Sequence, residues 1–301
     1  MLLGTSGAIY GLQILSGLGS AAGLFLVASG LTLIFGALRV VNFAHGSLYM
    51  IGAYLAITFS NKIGLGNYTF FATILLASLC VALLGLVAEV LVFRRIYARP
   101  VLTQLIVTFA FVLIIGGAMR EIYGTQAKLT GTPPFLTGGV HIFGGSSVPD
   151  FSVYQIFLIG LAGVVAIALW AILYKTNLGR DIRAAVSDPE LLSYSGVNVR
   201  ILFTGVFMLG CFFAGLAGAT YGQQGGVDLT IDVQVILRAF VIIVIGGLGS
   251  LRGALVASIL VGVVEALGTL WVPKASLVIV FAVLVVALAV RPQGLFGTRT
   301  A

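Results

Sequence analysis

Long runs of apolar residues, separated by short polar segments, extend along the sequence from residue 8 onward. Most of the runs contain roughly 20 residues, the length of α-helix that crosses the ~30 Å hydrocarbon core of a bilayer. They lack the alternation of apolar and polar positions that marks barrel strands. The pattern predicts membrane-spanning helices at 8–37, 43–60, 69–93, 101–119, 152–174, 201–222, 233–248, 253–271 and 275–290.

The predicted fold class is all-α: a polytopic transmembrane helix bundle with eight or nine crossings, forming a single domain over residues 1–301. The number stays open because the first run contains Gly17, Gly19, Gly23 and Gly30, which could bend or interrupt it. Composition agrees with a bilayer as the solvent. Only 8% of the residues are charged and 60% are hydrophobic, whereas soluble domains carry about 25% charged residues.

Basic residues collect in alternate connections, and this distribution orients the bundle. The connections carry Arg94, Arg95 and Arg99, then Lys175, Arg180, Arg183 and Arg200, then Arg252, and finally Arg291 and Arg299. Because positive loops stay in the cytoplasm, we expect the N-terminus outside and the C-terminus in the cytoplasm, with Arg120 and Lys128 as exceptions in an outer loop. This topology explains the net charge of +7 without a nucleic-acid partner.

The two longest connections differ in character. The outer one, about 120–151, is rich in Gly, Pro and Thr, including Gly144 and Gly145, and predicts an ordered surface loop or a short hairpin. The inner one, 175–200, is more polar and contains its own helix signals.

A short cytoplasmic helix is predicted within the inner connection. Asp188 supplies an N-cap acceptor, Pro189 suits the first helical position, and Glu190 complements the positive end of the helix. Gly196 is a stop signal. We expect a helix over about 189–195 that either docks into a groove on a cytosolic partner or only caps the bundle.

Three ionisable residues, Glu89, Arg238 and Glu265, lie inside predicted spans. Such groups are costly in a bilayer and are candidates for function. Glu89 is close enough to an arginine just beyond its span to pair with it. Arg238 either extends outward to Asp228 or Asp232 or faces the pore, where it would attract a carboxylate. Glu265 has no basic neighbour in the sequence, so a pore-facing and an interhelical role both stay open.

A polar stretch with Asn42, His45 and Gly46 interrupts the apolar pattern and indicates a broken helix. A single histidine in a membrane more often forms a hydrogen bond between helices than a gate. We predict no metal site, because His45 and His141 lie on opposite sides of the predicted bundle and no Cys/His cluster exists.

The glycine-rich segment 246–253 predicts a very tight or re-entrant connection between two spans. Its glycines are Gly246, Gly247, Gly249 and Gly253. It lacks the Lys-Ser/Thr ending of a phosphate loop, and the chain has no Walker-type nucleotide motif. We also find no clustered nucleophile, base or metal set. The sequence therefore predicts neither an enzyme nor a bound cofactor, and an ATPase would have to be another chain.

Four stretches, in order along the chain, resemble the permeases of branched-chain amino acid ABC importers. The early one is Val41-Asn42-Phe43-Ala44-His45-Gly46, followed by Tyr49-Met50-Ile51-Gly52-Ala53. The second is similar to the family's cytoplasmic coupling loop: Gly179-Arg180, Arg183-Ala184-Ala185, Asp188 and Gly196-Val197-Asn198. The third is Arg238-Ala239-Phe240 with Gly246-Gly247-Leu248-Gly249-Ser250 and Gly253-Ala254, and the last is Arg291-Pro292-Gln293-Gly294-Leu295-Phe296-Gly297.

The resemblance is closer to the shorter, H-type permease than to the M-type subunit. It implies a bacterial inner-membrane subunit that translocates branched-chain amino acids, or a similar small amino acid or carboxylate, by alternating access. The implied partners are a second related permease in a hetero- or homodimer, two cytosolic ATPases, and an external substrate-binding protein. The chain departs from the family at Leu191, Leu192 and Ser193, where small residues are common.

The resemblance implies coupling to the ATPase for Gly179, Arg180, Arg183, Ala184, Ala185, Asp188 and Gly196, and the helix-start signals add Pro189 and Glu190. The candidate translocation pathway comprises Asn42, His45 and Gly46, where the resemblance and the helix break coincide, together with the ionisable residues Arg238 and Glu265. Related permeases carry urea, short amides or aromatic carboxylates, so these substrates remain alternatives. The remaining alternative class of protein is a stand-alone channel or ion-coupled transporter. Such a protein would need no coupling helix and would usually show charged residues at the membrane midplane.

Overall fold

The computed structural model describes residues 2–64, 66–142, 149–224, 226–272 and 276–297. Within these ranges the chain forms eleven α-helices. They are α1 (Leu2–Leu38), α2 (Ala44–Ile63), α3 (Asn67–Leu91), α4 (Val101–Tyr123), α5 (Val153–Lys175), α6 (Asn177–Ser187), α7 (Pro189–Tyr194), α8 (Val199–Gly222), α9 (Ile231–Gly246), α10 (Leu251–Trp271) and α11 (Ser276–Val290).

The predicted all-α transmembrane bundle is confirmed, since each of the nine apolar runs corresponds to one helix. Six helices are long and apolar enough to cross a membrane. The first run forms a single continuous helix, α1, so its glycines do not break it. By contrast, α9 and α11 have only 16 and 15 residues. Arg299, which entered the charge pattern, lies outside the described residues.

Helix α1 occupies the centre of the bundle and packs against α5, α8, α9 and α10. It crosses α8 where Gly30 and Gly210 face each other; a Cβ at Gly30 would lie 2.5 Å from the Gly210 carbonyl oxygen. Small residues allow this close backbone approach, which is how helices associate where lipid supplies no hydrophobic drive. In its most apolar window 72% of the first helix is buried, against 11% of α4, so α4 lies at the periphery.

Helices α2 and α9 both begin inside the bundle. His45 Nε2 lies 3.1 Å from the Val27 carbonyl oxygen, and Val27 precedes the end of α1 by roughly 16 Å of helix. The segment after α1 therefore turns back into the bundle before α2 starts. The first turn of α9 lies directly beside this point, because Ser47 Oγ donates to the Asp232 carboxylate over 3.2 Å. The helix break predicted from Asn42, His45 and Gly46 thus lies where α2 begins, and α9 begins directly beside it.

The outer connection contains a short hairpin, as one of the two expectations had it. Strands β1 (Gly139–Val140) and β2 (Phe151–Ser152) pair antiparallel, after a 3-10 turn at Pro134–Leu136. The expected loop glycines Gly144 and Gly145 lie outside the described residues. Lys128 and Val227 exchange backbone hydrogen bonds of 2.9 Å, which joins this connection to the segment between α8 and α9.

The inner connection forms two helices, α6 and α7, where we expected one. The predicted short helix is α7, with Asp188 as its N-cap. Helix α6 was missed, although Thr176 caps it and Gly179, Ile182 and Ala185 form a buried stripe at helical spacing. Since α7 leads directly into α8, the first residues of α8 and the α6–α7 segment lie at the same end of the bundle, and Gly222 lies at the opposite end.

Candidate functional site: an ion pair in a cavity and a short helix pair

Helix α6 folds tightly against the end of α5. The Thr176 hydroxyl caps α6 by accepting from the Gly179 backbone N–H at 3.2 Å. A Cβ at Gly179 would overlap the carbonyl oxygens of Leu173 and Ile172, so only glycine permits this close turn. Ala185 is buried beneath α6, whereas Arg180, Arg183 and Ala184 are exposed on it. The family-like residues of this segment therefore divide into a packing face and a free face.

Helix α7 is capped as its sequence predicts and presents apolar side chains to the surroundings. The Asp188 carboxylate accepts from the Leu191 backbone N–H at 2.9 Å, Glu190 lies in the first turn, and Gly196 has a φ of +84° just past the helix. Two of its side chains are largely exposed, Leu191 at 64% and Tyr194 at 85%.

Two arginines, Arg183 and Arg39, connect the α6–α7 segment to the membrane helices. The guanidinium groups of Arg183 and Arg252 lie 5.3 and 5.4 Å from the ring centre of Tyr174, near the end of α5. In addition, Arg39 Nη2 donates to the Val186 carbonyl oxygen over 3.3 Å. The segment is therefore attached to α5 through Arg183 and to the end of α1 through Arg39, and Arg252 of α10 contacts the same Tyr174 ring.

The candidate pathway residues fall into two groups. Asn42, His45 and Gly46 are buried at the start of α2. A Cβ at Gly46 would overlap the Asp232 carbonyl oxygen, so glycine is required there. Both amide atoms of Asn42 and Nδ1 of His45 have no hydrogen-bond partner among the described residues. None of the three lines the cavity described next, so the structure does not bring them together with Arg238.

A cavity of about 220 Å³ lies between α1, α2, α5, α8, α9 and α10. It lies near the last residues of α8 and the first turns of α9, toward the end of the bundle opposite α6 and α7. The residues that line it are Gly19, Ser20, Gly23, Leu24, Tyr49, Leu158, Ala217, Thr220, Tyr221, Gln224, Ile231, Gln234, Val235, Arg238 and Glu265.

Arg238 and Glu265 form an ion pair in the wall of this cavity. Arg238 Nη2 lies 3.0 Å from Glu265 Oε1, and the two side chains are 29% and 15% exposed. Neither Asp228 nor Asp232, the partners considered from sequence, pairs with Arg238. Asp228 caps the turn before α9 through Thr230, and Asp232 bonds to Ser47 and to the Val233 backbone N–H. The ionisable residues predicted in the seventh and eighth spans therefore belong to one site.

A second ion pair lies near the α6–α7 end. Glu89, which is fully buried, accepts two hydrogen bonds from Arg94, at 2.9 and 3.3 Å. The Thr204 hydroxyl on α8 lies 2.6 Å from Arg94 Nη2 and 3.0 Å from Glu89 Oε2. Tyr97 donates to the same carboxylate at 3.4 Å. Burial, together with the Glu89 carboxylate, raises the pKa of the Tyr97 hydroxyl. A tyrosine hydroxyl is protonated at neutral pH even at its ordinary pKa, so Tyr97 can donate this bond.

The glycine-rich turn after α9 is a packing junction. Gly246 and Gly253 meet backbone to backbone, and Gly249 lies against Gly36 of α1. The C-terminal stretch closes the junction, because the backbone N–H groups of Leu295 and Phe296 donate to the carbonyl oxygens of Ile245 and Gly246 at 2.7 and 3.0 Å. Gly247, with a φ of +98°, completes the turn. Two of the stretches that carry the family resemblance thus fold onto each other.

Several residues that line the cavity were not among the predicted pathway residues, although Tyr49 belongs to the early family-like stretch. Tyr49 and Tyr221 approach with ring centres 5.9 Å apart, and Gln224 and Gln234 flank the start of α9. The available sequence signal for Gln224 and Gln234 was a polar amide at the edge of a long apolar run. Among the described residues, no group of three His, Cys, Asp or Glu side chains could hold a metal ion.

Comparison with known proteins gives consistent matches over nearly the whole chain. Residues 13–288 match the family described as the permease component of the branched-chain amino acid transport system. The high-affinity branched-chain amino acid permease protein BraD of Pseudomonas aeruginosa is 28% identical over 294 residues, covering 95% of both chains. LivH of Escherichia coli is 26% identical over 95% of this chain and 94% of LivH. LivM of Escherichia coli is 26% identical over 90% of this chain but only 67% of LivM.

Proposed function

Because this chain belongs to the family of permease components of branched-chain amino acid transport systems, we propose that it is one membrane subunit of an ABC importer. In this role it moves branched-chain amino acids across the inner membrane, while separate ATPase subunits supply the energy. The observation that carries the proposal is the family match over residues 13–288, in a chain whose helices form a multi-pass bundle.

The α6–α7 segment is the proposed docking surface for the ATPases. Leu191 and Tyr194 expose apolar area on α7, and Arg180 and Arg183 are exposed on the preceding helix, α6. A short helix with exposed apolar side chains suits insertion into a groove on a partner. Its contacts with α5 and with the end of α1 support transmission of movement, since Arg183 of α6 and Arg252 of α10 pack on the same Tyr174 ring.

The proposed orientation has the α6–α7 end in the cytoplasm and the N-terminus outside. Basic residues cluster at this end: Arg94, Arg95, Arg99, Lys175, Arg180, Arg183, Arg200, Arg252 and Arg291. The cavity would then face outward, beneath the joined connections that contain Lys128 and Val227. These connections are the proposed contact for an external binding protein, and a second related permease would complete the pathway.

The docking proposal can be tested with glycine and arginine variants of the assembled importer. We expect Gly196→Val and Arg183→Trp to prevent co-purification of the ATPase subunits and to abolish uptake of labelled leucine. At Gly196 the φ of +84° makes any side chain strained. Gly124→Val is the matched control, because Gly124 also has a positive φ, of +77°, with nothing within 4 Å, but lies at the opposite end. Assembly and uptake that survive both changes would contradict the proposal.

The substrate is tested by competition in cells that carry the complete importer. We expect leucine, isoleucine and valine to compete with labelled leucine, and urea, short amides and aromatic carboxylates to compete weakly. Uptake of labelled leucine no greater than in cells without the importer would reject branched-chain amino acids as the substrate, and the co-purification experiment would still test the ABC importer assignment.

A further inference from the structure

We infer that the Arg238–Glu265 cavity is a binding site for a free zwitterionic amino acid with an aliphatic side chain. Arg238 receives the carboxylate and Glu265 receives the ammonium group. The inference rests on the proposed function and names the residues that would select the substrate within the membrane domain.

The charges in the cavity match those of an α-amino acid. Both charged groups of such a molecule are attached to the same carbon, so its counter-charges must also be neighbours. Arg238 Nη2 and Glu265 Oε1 lie 3.0 Å apart in the wall of the cavity. An arginine offers five N–H donors in a fixed fork, and this one uses a single bond to Glu265. Its buried Nε has no hydrogen-bond partner among the described residues.

The rest of the cavity suits an aliphatic side chain of moderate size. Leu24, Leu158, Ile231 and Val235 contribute an apolar wall from α1, α5 and α9, and all four are nearly fully buried. The volume of about 220 Å³ exceeds the ~150 Å³ of an apolar protein cavity that accommodates benzene. Burial of the side chain against this wall supplies about 25 cal/mol per Å², while the ion pair fixes the orientation.

The same arrangement disfavours the other substrates considered for this family. A carboxylate without an ammonium group would compete with Glu265 for Arg238 and bring a like charge close to it. A neutral molecule such as urea or a short amide carries no charge to pair with Arg238 or Glu265. Its binding would therefore weaken the bond between these two residues without giving either a new counter-charge. Separating the charges of a partly buried ion pair without replacing either partner is unfavourable. The ion pair therefore selects zwitterions over anions and neutral amides.

Binding can be measured directly on the purified importer complex without its external binding protein. Saturation-transfer NMR detects weak ligands, and the probes are leucine, 4-methylpentanoate, which lacks the ammonium group, 3-methylbutylamine, which lacks the carboxylate, and urea. We expect leucine to bind best. Glu265→Gln should weaken leucine binding about 10- to 100-fold, the effect of one charge-assisted hydrogen bond, and leave 4-methylpentanoate unchanged or stronger. Arg238→Gln should weaken both carboxylates and spare the amine.

A steric variant tests whether the cavity itself is the site. A Cβ at Gly23 would meet nothing within 4 Å, and Gly23 lines the cavity, so Gly23→Phe should fill it and abolish the leucine signal. Gly117→Phe is the matched control, because Gly117 on α4 is equally open but far from the cavity lining.

The outcomes separate this inference from the proposed function. Leucine binding that is unchanged in Gly23→Phe, or equal losses of leucine and 4-methylpentanoate in Glu265→Gln, would overturn the zwitterion site even if the importer assembles and takes up leucine. A wild-type chain that neither assembles with ATPases nor supports leucine uptake would instead contradict the proposed function.

Discussion

The Arg94–Glu89 and Arg238–Glu265 ion pairs contain the same two kinds of charged group, but they differ in how many of their hydrogen-bonding groups have partners. Glu89 is fully buried and accepts from Arg94, Thr204 and Tyr97. Glu265 is joined to Arg238 by one hydrogen bond, beside a cavity, and the buried Arg238 Nε has no partner among the described residues. A charge that is fully hydrogen-bonded stabilises one arrangement of helices, whereas an incompletely bonded pair retains capacity for a ligand. The difference separates a structural pair from a candidate binding pair.

The largest expected effect comes from removing the cation of the complete pair. Arg94→Gln should lower the free energy of unfolding by about 3–5 kcal/mol, because it leaves a fully buried carboxylate without its counter-charge. Unfolding by sodium dodecyl sulfate in mixed micelles measures this difference. Arg95→Gln is the control, since Arg95 is exposed and has no ion-pair partner in the described part of the chain. Equal losses in both variants would remove the structural role from Glu89.

An intermediate effect is expected from the hydroxyl that joins α8 to this pair. Thr204→Val keeps the shape but removes the group that contacts both Arg94 and Glu89, and it should cost about 1–2 kcal/mol because the two charges retain each other. Thr73→Val provides the contrast. The Thr73 hydroxyl is buried without a partner among the described residues, so its removal should be neutral or stabilising. The same unfolding titration decides between them, and a larger loss at Thr73 would contradict the argument.

How far these pairs could be predicted depends on sequence separation. Arg94 follows Glu89 by little more than one turn, so its pairing was foreseeable from the sequence alone. Arg238 and Glu265 lie on different helices and meet only because α9 and α10 pack together. The bundle followed from hydrophobic length, and α7 from its N-cap at Asp188. The cavity did not, because it is formed by six helices whose relative rotation no local pattern specifies.

A smaller effect on stability, with a large effect on binding, is expected at the incomplete pair. Glu265→Gln should change the free energy of unfolding by no more than about 1 kcal/mol, since the cavity leaves Arg238 partly exposed to solvent. The same variant should lose most of its leucine binding. A loss of stability as large as that of Arg94→Gln, measured in the same micelles, would make both pairs structural and erase the distinction between them.

The smallest effect is expected at the weakest bond of the complete pair. Tyr97 donates to Glu89 over 3.4 Å, which is long for a hydroxyl donor. Tyr97→Phe should therefore cost about 0.5 kcal/mol, because Arg94 and Thr204 still satisfy the carboxylate. If unfolding titration gave a loss comparable to that of Thr204→Val, the pair would depend equally on every donor. Glu89 would then have no redundant hydrogen-bond donors, and its contrast with Glu265 would be lost.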